Sequence, residues 1–311
     1  MLFRSQGSAG IDVGALRALG GKVLAQSKHL ARVAIPIENL EAASRIVGVN
    51  FLRLPFRPLS NVVVSEGVPL IGADEYHTNG LRGSGVDVAI IDEGFSRADD
   101  LGSDMPSTWQ YRDFTRRGMY LGGPHGTACA EIIHDIAPEA ELHLLRIDDL
   151  VDLENAKDYC IENGIDVISH SMSWLGTGFG DGRGLTCDIV DDAEEKGILW
   201  VNSAGNYAKR QYSALWRDSN ASGWLDFSGP EDEVLLLEEA AVGDTIEVWL
   251  TWNDWPTSSE NYDLYLYKMN DSGEIEKVEE STTVQSGSHP IEAIEYPVRE
   301  DGIYDAAIWK D

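Results

Sequence analysis

Hydrophobic and polar positions change their spacing twice along this chain of 311 residues. Up to about residue 60 the stretches are short. "GKVLAQSKHLARVAIPI" (21–37) predicts extended chain, and "ENLEAASRIVGV" (38–49) predicts a helix with Leu40, Ala43, Ile46 and Val47 on one face. "NFLRLPFRP" (50–58) predicts a strand stopped by prolines, followed by a turn-rich stretch around Pro58 and Asn61. From residue 84 longer elements alternate. "GVDVAIID" (85–92) is apolar almost throughout, as a strand buried on both faces requires. A helix over Thr127–Ala137 ends at Pro138, and "AELHLLRI" (140–147) is strand-like. "LENAKDYCIENG" (153–164) reads as a helix with Leu153, Ala156, Cys160 and Ile161 inward and Gly164 as its stop. "IDVISHSMS" (165–173), "CDIVDDAEEKG" (187–197) and "ILWVNSAGN" (198–206) continue as strand, helix, strand. After about residue 217 the helical spacing disappears. "DEVLLLEEAAVGDTIEVWLTW" and "YDLYLYKM" run apolar or alternate, separated by turn signals at Gly243-Asp244 and Asp271-Ser272-Gly273.

The order of these elements predicts three domains. Residues 1–62 form a small β–α–β module. Residues 63–216 form an α/β core with a parallel, doubly wound sheet. Residues 217–311 form an all-β sandwich or jelly roll.

Composition narrows the partners. The chain carries 53 acidic against 24 basic residues, a net charge of −29, and 8 of the basic residues are lysine. Phosphate binding depends on neutralisation by Lys and Arg, so nucleic acid and anionic membrane surfaces are excluded as expectations. The acidity reads as a well-solvated surface or, with so few lysines, as adaptation to high salt, where screening removes self-repulsion. No apolar run reaches the roughly 18–20 residues of a membrane span, and "MLFRSQGSAG" has no signal-peptide core. The mature protein is then cytosolic, or its natural N-terminus lies upstream. Cys129, Cys160 and Cys187 are odd in number and form no CxxC, so they read as small buried apolar residues.

In an open parallel sheet, ligands bind beyond the carboxyl ends of the strands. Asp92 ends "VAIID", Ser171–Ser173 end "VISHSMS", and Asn206 follows Gly205 after "ILWVNSA". His125 opens the first long helix, after the turn-forming "GGP". Each has an ordinary structural use taken alone: an Asx turn, a loop histidine, a turn asparagine. Together they bring a carboxylate, an imidazole, an extended edge and an amide to one crevice.

These stretches resemble the subtilisin-like serine proteases (subtilases, peptidase family S8). "VAIIDEG" is similar to the family's aspartate motif and "HGTACAEII" to its histidine motif. "DIAPEAELHLLRI" is similar to the Ala-Pro connection, "VISHSMSW" to the substrate-binding strand and "VNSAGN" to the oxyanion segment. The resemblance implies that Asp92 orients His125, that His125 is the general base, and that the Asn206 amide donates to the oxyanion. It implies that Ser171, Met172 and Ser173, with Gly205 nearby, bind a polypeptide substrate through the backbone. The helix start is expected to disfavour a standing charge on His125. Two positions depart from the family. Ala128 stands where a second histidine is frequent, and Ser173 where glycine is usual. Trp174 reads equally as pocket lining or core.

The family's serine lies in a Gly-Thr-Ser motif, which the 105 residues after Asn206 do not contain. The expectation is therefore a chain truncated before its nucleophile, inactive by itself, with residues 217–311 inserted between the Asn and Ser segments. Residues 1–62 resemble the later part of a subtilase propeptide, or serve as a plain accessory module. The β region is similar to small jelly-roll domains of secreted proteases, with "YDLYLY" carrying the likeness. No cofactor is implied. A structural calcium is not assignable, and Asp263 reads as a solvated strand residue rather than a ligand. By resemblance the protein is secreted or on the cell surface, and its oligomeric state is not legible. The alternatives are a non-catalytic subtilase-like peptide-binding protein and a thiol hydrolase using Cys129, one helical turn beyond His125.

Overall fold

A computed structural model describes residues 2–4, 11–27, 30–49, 51–54, 59–60, 67–100, 105–118, 121–208, 210–270, 273 and 275–310. Pro55, Pro58, Asn61, Asp271 and Ser272, used above as turn signals, and the expected boundary at 62–63 lie outside the described residues.

The first elements are β1 (Leu2–Arg4), α1 (Val13–Ala18), β2 (Lys22–Gln26), β3 (Leu30–Ala34), α2 (Leu40–Ser44) and β4 (Phe51–Arg53). The strands form an antiparallel sheet in the order β2-β3-β1-β4. Leu16, Ala31, Val33 and Ala43 fill its core. The predicted β–α–β unit is therefore a hairpin, a helix and a strand, with α1 and β1 added. The helix of 38–49 is shorter than its apolar spacing suggests. It stops at Ser44, so Ala43 is buried and Ile46 packs on the core, but Val47 is 92% exposed. Arg32 ties this sheet to the parallel-sheet core. Its guanidinium donates to Asp149 at 2.6 Å and to Asp152 at 3.1 Å, and both carboxylates are buried.

Next come β5 (Leu59–Ser60), α3 (Ala73–Thr78), β6 (Asp87–Asp92), β7 (Gln110–Asp113), α4 (His125–Ile136) and β8 (Glu141–Arg146). They are followed by α5 (Leu150–Asn163), β9 (Val167–His170), β10 (Met172–Ser173), α6 (Leu185–Glu195) and β11 (Leu199–Asn202). Five strands make a parallel sheet in the order β11-β9-β6-β8-β7. Val88, Ile90, Leu142 and Leu144 point to one face, where Cys129 and Ala130 of α4 pack. His143 points to the other, where its ring meets the Tyr159 hydroxyl of α5 at 3.0 Å. Helices on both faces explain why β6 is apolar at nearly every position. α5 has clear ends. The Asp149 carboxylate accepts from the N–H groups of Val151 and Asp152, and Gly164 closes the helix at φ +69°.

The chain divides into two compact units, residues 1–174 with 188–206 and residues 175–187 with 207–311. In the second, β12 (Leu235–Ala240), β13 (Thr245–Thr251), β14 (Tyr262–Met269), β15 (Ile275–Ser281), β16 (Ile291–Pro297) and β17 (Gly302–Lys310) are all antiparallel. One sheet has the order β12-β17-β14-β15 and the other pairs β13 with β16. Ile246, Leu264, Ile294 and Tyr304 belong to one core shared by both sheets. Residues 175–187 join this unit through Gly176. A Cβ there would lie 2.2 Å from Ile291 Cδ1 and 2.8 Å from Trp249 Cε3.

Candidate functional site

Asp92 is the last residue of the central strand β6, and it is fully buried. Its Oδ1 accepts from the Glu93 N–H at 2.9 Å. Its Oδ2 lies 2.7 Å from His125 Nδ1. His125 is the first residue of α4, which begins two residues earlier than the sequence pattern suggests, with Pro124 as its N-cap. The imidazole is 9% exposed. Its other nitrogen, Nε2, is buried and has no hydrogen-bond partner among the described residues.

Glycines make this approach possible. Gly126 N–H donates to Gly94 O at 3.1 Å, which sets the start of α4 against the turn after Asp92. A Cβ on Gly126 would sit 2.7 Å from each of Asp92 Cβ, Gly94 O and Phe95 Cε1. None of these can swing away. Gly126→Ala is expected to destabilise the fold by about 1–3 kcal/mol through overpacking. A lower urea midpoint at unchanged slope checks this; an unchanged midpoint contradicts it.

The electrostatics are dominated by the pair itself. The hydrogen bond to the Asp92 carboxylate raises the His125 pKa, and partial burial opposes it. The expectation that the helix start disfavours the charged ring is thus outweighed by the carboxylate. Burial pushes the Asp92 carboxyl up, while the bond from His125 pulls it down.

Cys129 lies under the pair. Its Sγ and ligand atoms of Asp92 and His125 are all within 4.8 Å of one another. Burial, then the Asp92 charge, pushes this thiol up to about 11, and its contact with Ser171 is a hydrogen bond. A thiol so strongly protonated is a core group rather than an activated nucleophile. Cys160 is likewise buried, and Cys187 is half-buried.

Met172 and Ser173 form β10. Their backbone pairs antiparallel with Ser60 and Leu59 of β5. The Met172 side chain is fully buried and that of Ser173 half-buried. Trp174, open between two uses in the sequence, donates its indole N–H to His170 Nε2 at 2.8 Å and stacks on that ring. His170 Nδ1 lies 3.2 Å from the Ile91 carbonyl, and burial pulls the imidazole pKa down to about 4. Asn206 follows β11 by four residues at the same carboxyl edge, after Gly205 at φ +82°. It is exposed, and among the described residues no hydrogen bond joins it to the Asp92–His125 pair.

One supporting residue has no signal in the sequence pattern. Arg146 is opposite Asp92 in register on β8 and is 3% exposed. Its Nε donates to Glu93 O at 2.9 Å, and its Nη1 to Gly118 O at 2.8 Å and Thr115 Oγ1 at 3.0 Å. An arginine at the end of "ELHLLR" reads as a strand terminus. Here it fixes the loop that follows Asp92.

The sequence profile of the Subtilase family matches residues 83–225, the span holding every one of these site residues. The chain is 32% identical over 155 residues to Subtilisin E of Bacillus subtilis, covering 46% of this chain and 40% of that protein. It is 32% identical over 139 residues to the Minor extracellular protease Epr of Bacillus subtilis, 41% of this chain and 21% of that protein. It is 26% identical over 188 residues to the Thermostable alkaline protease of Halalkalibacterium halodurans, 55% of this chain and 51% of that protein. The match spans only about a fifth to a half of the length of these relatives. Residues 83–225, which hold the Asp92–His125 pair, are thus similar in sequence to the Subtilase family.

Proposed function

We propose that the full-length protein is a serine endopeptidase of the subtilisin type whose nucleophilic serine lies beyond residue 311. The observation that carries this reading is the state of His125: Nδ1 is tied to a buried carboxylate, and Nε2 is buried without a partner among the described residues. A ring held this way has one tautomer available for general-base work, with its lone pair on Nε2. In the reaction, Nε2 takes the proton of the serine hydroxyl as Oγ attacks the peptide carbonyl. The imidazolium is stabilised by Asp92. The proton then passes to the leaving amine, and water repeats the sequence on the acyl-enzyme. The Asn206 side-chain amide donates to the tetrahedral oxyanion. Its present exposure suits a group that waits for substrate.

Ser171, Met172 and Ser173 bind the polypeptide backbone. The pairing of β10 with Leu59–Ser60 supports this, because an extended segment already adds to that edge in antiparallel sense. The segment comes from the chain's own N-terminal region, which supports the reading of residues 1–62 as a propeptide-like module that inhibits the core. Removing Arg32 would leave Asp149 and Asp152 buried without their cation, a loss of about 3 kcal/mol. Arg32→Ala in the full-length protein is therefore expected to speed amide exchange at Met172 and Ser173 and to shorten the lag before peptide hydrolysis. Unchanged exchange would remove the module's inhibitory role.

Among the described residues no helix is long and apolar enough to cross a membrane. A secreted or cell-surface location is proposed, on the likeness to an extracellular protease. The function is tested by hydrolysis of casein by the full-length protein. Activity abolished by a serine-phosphonylating reagent supports the reading, and activity indifferent to that reagent overturns it.

A further inference from the structure

The second unit carries a cleft of its own. Along β14 the sequence "YDLYLY" alternates. Leu264 and Leu266 face the shared core, so Tyr265 and Tyr267 lie on the opposite face, while Asp263, expected to be solvated, is 8% exposed and accepts from the Tyr265 hydroxyl at 3.3 Å. The neighbouring strand β17 pairs in unbroken register, with Trp309 opposite Asp263, Ala307 opposite Tyr265 and Asp305 opposite Tyr267. The outer sheet face therefore presents aromatic rings around one small residue. Trp224, bridged to Trp309 in the backbone, forms a wall, its ring centroid 5.2 Å from that of Tyr265 at 64°. Tyr265 and Tyr267 lie side by side at 6.5 Å with their planes 33° apart. With Lys277 these rings line an open cleft of about 350 Å³.

The cleft is built rather than incidental. Gly223 holds φ +88°, and a Cβ there would fall 2.3 Å from Trp309 Nε1, so the indole is seated against glycine backbone. Asp305 is 3% exposed, and its Oδ2 is buried with no hydrogen-bond partner among the described residues. A buried carboxylate oxygen without a donor is costly. It lies opposite Tyr267 in register, outside the cleft's own lining.

Charge selects the ligand. The Lys277 ammonium already lies 5.4 Å from the Tyr265 ring centroid, in the place a cationic ligand would take, and repels a second cation. The net charge of −29, with Glu280 bound to Lys277, repels polyanions. What remains is a neutral ligand with flat apolar faces and many hydroxyls. Aromatic rings offer stacking area with polar edges, and the ammonium and the tyrosine hydroxyls offer partners for hydroxyl groups.

We propose that the cleft lined by Trp224, Tyr265, Tyr267 and Trp309 binds a neutral polysaccharide, whose sugar rings stack on the tyrosines. Its openness lets a chain pass across the sheet rather than end in a closed pocket.

The test is retention of the full-length protein on insoluble cellulose, chitin, mannan and starch, with titration of tryptophan fluorescence by hexasaccharides of the same four sugars. At least one is expected to bind, with affinity lowered about tenfold by Tyr265→Ala. Tyr265→Phe keeps the ring and is expected to keep binding, which separates stacking from a folding defect. His125→Ala leaves binding unchanged, so this result is independent of peptide hydrolysis. Binding to none of the four, binding indifferent to Tyr265→Ala, or retention on gelatin in place of polysaccharide would overturn the proposal.

Discussion

His125→Ala in the full-length protein is expected to lower kcat for peptide hydrolysis by about 10⁶-fold, the magnitude known for the subtilisin triad itself. The loss is that large because one ring serves two steps. In the proposed mechanism it takes the serine proton during attack and returns it to the leaving amine. KM is expected to change little, since the proposed substrate contacts are with the β10 backbone and not with the imidazole. The pH profile reports on the same ring. The bond to Asp92 raises the His125 pKa above its ordinary value of 6.5. The base is idle while protonated, so kcat/KM is expected to rise with pH through that raised value and to fall as pH drops below it. A profile flat from pH 6 to 9 would contradict the assignment of His125 as base.

Asp92→Asn is the second large effect. The substitution keeps size and burial but replaces an acceptor by an amide that can present its N–H to Nδ1. The ring then adopts the tautomer with its proton on Nε2, and a base without its lone pair cannot accept from serine. The expected loss in kcat is about 10⁴-fold. The acid limb of the pH profile is expected to move to lower pH, because the main cause of the raised His125 pKa is gone. Activity within tenfold of the parent would show that Asp92 is only a structural strand end. The non-catalytic reading is not favoured by the relatives described above, two of which are proteases by name and the third a subtilisin.

The site was legible where chemistry and local pattern coincide. "VAIID" announces a buried strand, so its terminal carboxylate stands out. "GGPHG" announces a turn before a helix, so His125 does too. The pairing of β5 with β10 was not legible. Two-residue strands separated by more than a hundred positions carry no periodic signal. Arg146 was missed because its role depends on register with Asp92, which only the folded sheet sets. In the first module, α1 had a readable cap, since the Asp12 side chain accepts from Ala15 N–H, but six residues are too few for a helical period. The hairpin of β2 and β3 breaks its alternation at an irregularity between Val23 and Ala25, which hides it as plain extended chain. The boundary of the β unit departs from the expected one for a related reason. Gly176 has no side chain to signal that it packs beneath Trp249 and Ile291.

The central claim is that the Asp92–His125 pair activates a serine outside residues 1–311. Fluorophosphonate labelling of the full-length protein, with the modified residue mapped by mass spectrometry, tests it most directly. The account predicts a single labelled serine beyond residue 311, with labelling lost in His125→Ala and absent when residues 1–311 are treated alone. A protein that takes no label, or a label mapped to a serine within residues 1–311, would contradict it.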